Sequence, residues 1–186
     1  MARTEVPIKV LMVGAAQEAV REFHKTFDPE SLAEAPQMPS LESAQLRVRL
    51  MIEELDEVGA AMRLYYEGKQ NAGDALVEVA QELADLLYVT YGTAITMGIE
   101  LDPILQAVHE ANMSKVWTTQ EIEEHVFEPN SKIVGHTDGR WIVYRPDGKI
   151  LKPPSYTKPD IADALLSAGL PVDAVEVTET LGGDLQ

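Results

Sequence analysis

The run Glu53-Glu54-Leu55-Asp56-Glu57 is answered further along the chain by Glu82-Leu83-Ala84-Asp85. Glu54 and Glu57, and again Glu82 and Asp85, stand three residues apart, so each pair falls on one face of a helix. Carboxylates forced together in a poorly solvated place repel one another unless a cation or a proton intervenes. Oxygen ligands without thiols or paired histidines select Mg²⁺ or Mn²⁺ over zinc. Divalent ions held by carboxylates are the apparatus of phosphate chemistry. A di-iron bundle would need Glu-x-x-His pairs, and no glutamate here has a histidine three residues on. No EF-hand loop is present either.

An acidic run on a helix is more often a solvated face, and angular position decides between the readings. At about 100° per residue, Val48, Met51, Ile52, Leu55, Met62 and Tyr65 form one apolar stripe. Arg49, Asp56, Arg63 and Glu67 form the polar one, so Asp56 reads as structural. Glu54 and Glu57 fall on a third face with Leu46, Leu50, Ala61 and Leu64, bracketed by apolar residues. The next helix, from Ala75 to Ile95, is apolar nearly all round, which predicts burial and places Glu82 and Asp85 inside. No basic residue lies on it to neutralise them.

The positioning elements follow from punctuation. A first helix over 15–28 carries Val20, Phe23, His24 and Phe27 on one side, and Pro36 and Pro39 then break the chain. Ser40 caps a long helix to Glu67. The turn from Gly68 to Asp74 leads into the apolar helix, capped by Asp74 and ended at Gly98. Asp102-Pro103 opens a fourth helix to about Ser114. Short links favour antiparallel neighbours, so the fold class is all-α, an antiparallel helical bundle over 15–116. Beyond Lys115, short apolar runs at 133–134, 141–144 and 150–151 are separated by Thr137-Asp138-Gly139 and Pro146-Asp147-Gly148. They predict a small β-hairpin or three-stranded flap, followed by a short helix opening at Pro159-Asp160, within 117–170. Residues 1–14 form an N-terminal extension and 171–186 a mobile tail. Ile8 to Val13 mimics the first strand of a dinucleotide fold, but only Gly14 follows it, without G-x-G-x-x-G.

The chain has 186 residues, 15 basic against 31 acidic, a net charge of −16. Such a surface repels nucleic acid and anionic membranes, so neither is an expected partner. A polyanionic substrate would need cations to bridge it to this protein. Cysteine is absent, which removes disulfides, thiolate zinc sites and cysteine nucleophiles, and fits a reducing compartment such as the cytoplasm. No apolar run approaches the ~18 residues of a membrane span.

Glu-Glu-x-x-Glu at 53–57, Glu-x-x-Asp at 82–85 and Asn112-Met113-Ser114-Lys115, in that order, resemble the all-α nucleoside triphosphate pyrophosphatases of the MazG-like kind. The resemblance covers about 15–115, with a further match from Asp147 to Pro153. It implies hydrolysis of a nucleotide between the α- and β-phosphates, with Mg²⁺ or Mn²⁺ as cofactor and a homodimer or homotetramer as the assembly. It also implies metal ligation by Glu54, Glu57, Glu82 and Asp85, which repeat one i,i+3 geometry. Glu53 is the candidate base that activates water, with Glu54 the alternative. Asn112, Lys115 and Lys152 are the candidate phosphate and sugar contacts, and Phe23 and His24 candidates for a base pocket. His109 is expected to pack near the site, and Trp141 and Tyr144 to pack the flap. Residues 117–144 depart from the shortest family members and form a lid or an oligomer contact. Compact phage and bacterial enzymes of this kind suggest dGTP or GTP as substrate. dUTP and phosphoribosyl-ATP are the alternatives, and a non-enzymatic acidic scaffold is the rival class.

Overall fold

The computed structural model describes residues 14–135 and 138–170. The expected extension before Gly14, Thr137 of the first predicted turn, and the tail from Pro171 lie outside the described residues. Six α-helices and one small sheet are described: α1 (Ala15–Phe27), α2 (Leu41–Tyr66), α3 (Ala72–Thr96), α4 (Leu101–Met113), α5 (Thr119–Glu124), β1 (Lys132–Gly135), β2 (Trp141–Tyr144) and α6 (Ile161–Ser167). This is an all-α fold with a β-hairpin appendage. No helix among the described residues is long and apolar enough to cross a membrane. The described residues divide into two compact units, 14–102 with 165–170, and Pro103–Ala164.

In the first unit, α2 starts where Ser40 Oγ accepts a hydrogen bond from the Ser43 amide at 3.2 Å. It ends at a turn in which the Lys69 amide reaches back to the Leu64 carbonyl, with Gly68 at φ 70°. The cap of α3 is Asn71 rather than Asp74. Asn71 Oδ1 takes both the Gly73 and Asp74 amides, while Asp74 sits in the first turn and accepts from Asn71 Nδ2 at 2.6 Å. At its far end α3 stops at Gly98, φ 67°, with the Ile99 amide bonded to the Ala94 carbonyl. The connection from the 3₁₀ turn (Pro29–Ser31) to α2 is pinned there, because the Gln37 amide donates to the Met97 carbonyl at 2.9 Å. Gln17 fastens α1 beside the same end, donating to the Ile99 carbonyl and accepting from the Leu101 amide.

The side of α2 that turns inward carries Arg47, Val58 and Ala61, all buried. The apolar stripe read from the sequence faces outward: Val48, Ile52, Met62 and Tyr65 are exposed, and Leu55 is 58% exposed. The expectation that α3 is buried all round needs the same correction. Leu76, Leu83 and Leu87 are exposed and Val77 is 71% exposed, because α1 and α2 cover only part of its circumference. Glu82 is accordingly half-buried, and neither it nor Asp85 is enclosed by the described residues.

The second unit is built on Trp117 and Val143, both fully buried. Trp117 exchanges backbone hydrogen bonds with Trp141, and its Nε1 donates to the Leu151 carbonyl at 2.9 Å. β1 and β2 pair antiparallel, Lys132 opposite Tyr144 and Gly135 opposite Trp141. Tyr144 makes one further bridge to Ile150, so the flap is a hairpin extended by single bridges rather than a three-stranded sheet. The short helix α5 opens with a capping box, Thr118-x-x-Glu121. Burial pushes the Glu121 carboxyl up, but hydrogen bonds from Thr118 and from the Ser155 amide outweigh it and hold the group at about 2. A depressed carboxyl contributes stability that is complete above its unfolded value and is lost as pH falls toward the folded one. Glu121→Gln should therefore lower the thermal midpoint at pH 7. The deficit should shrink between about pH 4.5 and 2, the unfolded and folded values, as followed by tryptophan fluorescence.

Candidate metal and substrate site

One α2 face and one α3 face bring together Glu54, Glu82 and Asp85, each offering a carboxylate oxygen within 4.8 Å of the others. Glu57 joins them through a hydrogen bond with Glu82. Burial pushes the Glu54 carboxyl up, and the charges of Glu57, Asp85 and Glu53 push it further. Glu82 is raised by the same kind of burial, by its bond with Glu57, and by the charges of Glu57, Asp85 and Glu54. Among the described residues no lysine or arginine makes an ion pair with any of these carboxylates. Among the described residues no cationic side chain relieves the repulsion. An all-oxygen donor set under such tension fits a hard divalent cation.

Glu53 stands off this cluster. It lines a shallow depression on α2 with Arg49, Ile52, Asp56, Glu57 and Ala60. Its charge is still felt at Glu54. Phe23 lies half out of the surface, its ring 4.7 Å from Phe27 and edge-on to Tyr88. His24 is buried, and its Nδ1 stands 2.9 Å from Ser31 Oγ. That hydroxyl already donates to the Asp28 carbonyl, so Nδ1 carries the proton and donates to it. Burial and then the neighbouring Arg47 charge hold His24 below the usual histidine range, against the opposing pull of Asp28.

Asn112, Lys115 and Lys152 belong to the second unit. Lys115 Nζ donates to Asn112 Oδ1 at 2.7 Å, and the Lys152 ammonium sits 4.5 Å from the centre of the Tyr156 ring. His109 is exposed, at odds with the packing role expected of it.

Sequence reasoning passed over Arg47. It is 9% exposed and lines a cavity of about 720 Å³ between the 3₁₀ turn, the loop before α2 and the end of α3. Its only partner among the described residues is Asp28, at 3.7 Å, beyond hydrogen-bond reach. Its buried Nε has none. The signal was present in the spacing. Arg47 precedes Glu54 by seven residues, two turns along one helix face, about 10 Å.

A family profile for phosphoribosyl-ATP pyrophosphohydrolase matches residues 20–112, half of the 186. The match runs from within α1 into α4 and takes in Glu53, Glu54, Glu57, Glu82 and Asp85. No curated protein matches the chain. With its helical fold and its carboxylate cluster, the chain belongs to the phosphoribosyl-ATP pyrophosphohydrolase family, within the all-α MazG-like superfamily, and so to hydrolases of acid anhydrides.

Proposed function

We propose that the protein is a Mg²⁺- or Mn²⁺-dependent nucleoside triphosphate diphosphohydrolase that converts a (d)NTP and water to a (d)NMP and pyrophosphate. The observation that carries this is the meeting of Glu54, Glu82 and Asp85 with no cationic partner among the described residues. These three, with Glu57, would hold the ions. Bound there, divalent cations would neutralise the triphosphate and lower the pKa of the attacking water. Glu53, beside the cluster but outside it, takes the water proton as the oxygen attacks the α-phosphorus and the bond to the bridging oxygen breaks. Asn112, Lys115 and Lys152 enter as phosphate and sugar contacts on the strength of the resemblance alone.

The substrate is a purine nucleotide, dGTP or GTP. Phosphoribosyl-ATP is the second reading, favoured by the description of the matching family. The apolar stripe of α2 and the outward side of α3 supply the surface for a homodimer or homotetramer. An exposed row of this kind marks an interaction face, and a second copy would also shield the carboxylates from water.

The test is pyrophosphate release over all common ribo- and deoxynucleoside triphosphates and phosphoribosyl-ATP, with Mg²⁺ and Mn²⁺ compared. Metal-dependent release from a guanine nucleotide is the expected result. Turnover confined to phosphoribosyl-ATP selects the second reading, and equal trace release from every compound rejects both.

A further inference from the structure

Arg47 presents an unusual arrangement beside a large cavity: its side chain is nearly fully buried, its Nε has no hydrogen-bond partner, and its ion-pair partner among the described residues, Asp28, stands 3.7 Å away. Burying a charge that is paired only loosely, and whose donors are not met by hydrogen bonds, is costly. We infer that Arg47 and Asp28 form a guanine-recognition site in the cavity bounded by the 3₁₀ turn, the N-terminal part of α2 and Thr96.

The inference rests on the reading of Glu54, Glu82 and Asp85 as the phosphate end of a nucleotide site. Arg47 lies about 10 Å from Glu54 along the same face of α2, a span that a nucleoside bridges between its phosphates and its base. The chemistry of the walls selects the base. A guanidinium fork offers parallel N–H donors and pairs with two adjacent acceptors, which guanine supplies at O6 and N7. Asp28, 3.7 Å from Arg47 Nη2, offers acceptors beside that fork and so meets the N1–H and N2–H₂ donors that follow O6 around the ring. Adenine presents one acceptor and one donor where guanine presents two acceptors, leaving half of the fork unmet. Pyrimidines lack N7. Glu30 and Glu42 also line the cavity, so its charge disfavours a phosphate group there.

The experiment uses the full chain in EDTA, with calorimetric titration of guanosine, adenosine, 7-deazaguanosine and 2-aminopurine riboside. Guanosine should bind at least tenfold more tightly than each of the others, since adenosine and 2-aminopurine riboside lack O6 and 7-deazaguanosine lacks N7. No nucleoside binding, or guanosine no better than adenosine or 7-deazaguanosine, overturns the inference. Because the ligand is varied and not the protein, misfolding cannot mimic either result. Arg47→Lys should then lose guanosine binding by tenfold or more with an unchanged melting curve, and retained binding also overturns it. Triphosphate turnover without base discrimination defeats this inference alone. Guanosine discrimination without turnover of any triphosphate defeats the catalytic reading alone.

Discussion

Glu82→Gln should lower metal-dependent pyrophosphate release by about a thousandfold while raising the thermal midpoint of the metal-free protein. Both effects have one cause. Glu82 sits among Glu54, Glu57 and Asp85 with no lysine or arginine paired to the group among the described residues. Glutamine keeps the shape and removes a negative charge, so the apo site relaxes as the cation loses a ligand. The pH dependence follows with its sign. Glu54 and Glu82 are both raised in the folded state, first by burial and then by carboxylate neighbours. The folded state therefore binds protons more readily than the unfolded chain. This contribution to stability is fully present below the ordinary carboxylate range and is lost as pH rises through the raised values. The net charge of −16 acts in the same direction. Metal-free protein should thus melt higher at mildly acidic pH than at neutrality, and Mg²⁺ should remove most of the difference. In Glu82→Gln the slope should be shallower. A solvated acidic scaffold would show neither the lost turnover nor the response to Mg²⁺.

Gly98→Ala should be the most damaging single-atom addition to the fold. At φ 67° a side chain is strained, and an added Cβ would stand 2.2 Å from the Ala35 carbonyl oxygen. Backbone strain and overpacking together cost about 3 kcal/mol, or roughly 10 °C in midpoint for a chain of this size. The neighbouring carbonyl is backbone, held by the Gln37–Met97 hydrogen bond, and it cannot swing aside like a flexible side chain. Gly68 provides the control. It has nearly the same φ, 70°, but nothing lies within 4 Å of its would-be Cβ. Gly68→Ala should cost only about 1 kcal/mol. Equal losses at the two positions would show that the Ala35 contact carries no weight. The loop that Gly98 admits also walls the Arg47 cavity, so the damage should extend to nucleoside binding.

Much of the arrangement was legible in the chain because local signals agreed. Ser40 and Gly98 mark helix ends by chemistry that operates within a few residues. Glu82 and Asp85, and Glu54 and Glu57, share faces through the helical period alone. Legibility failed where the outcome depended on what each face meets. The α2 stripe of Val48, Ile52 and Leu55 reads as core by composition, yet it faces outward in the single chain. The inward face is the one carrying Arg47, Glu54, Val58 and Ala61, which mixes charge with small apolar groups and has no simple hydropathy signature. Asn71 displaced Asp74 as the α3 cap because its amide oxygen reaches two backbone amides at once. Trp117 could not be singled out from sequence as the centre of its unit, since its burial depends on Leu151 and Trp141, far along the chain. The capping box Thr118-x-x-Glu121 was readable but lay within a segment read as an insert.

Metal-dependent turnover requires that Glu54, Glu57, Glu82 and Asp85 act together on a cation. Crystals of the full chain soaked in Mn²⁺ test it directly through anomalous scattering. At least one peak should be coordinated by oxygens of Glu54, Glu82 and Asp85, with Glu57 turned in to share it. Side chains pointing apart, with no peak among them at a Mn²⁺ concentration that supports turnover, would contradict it.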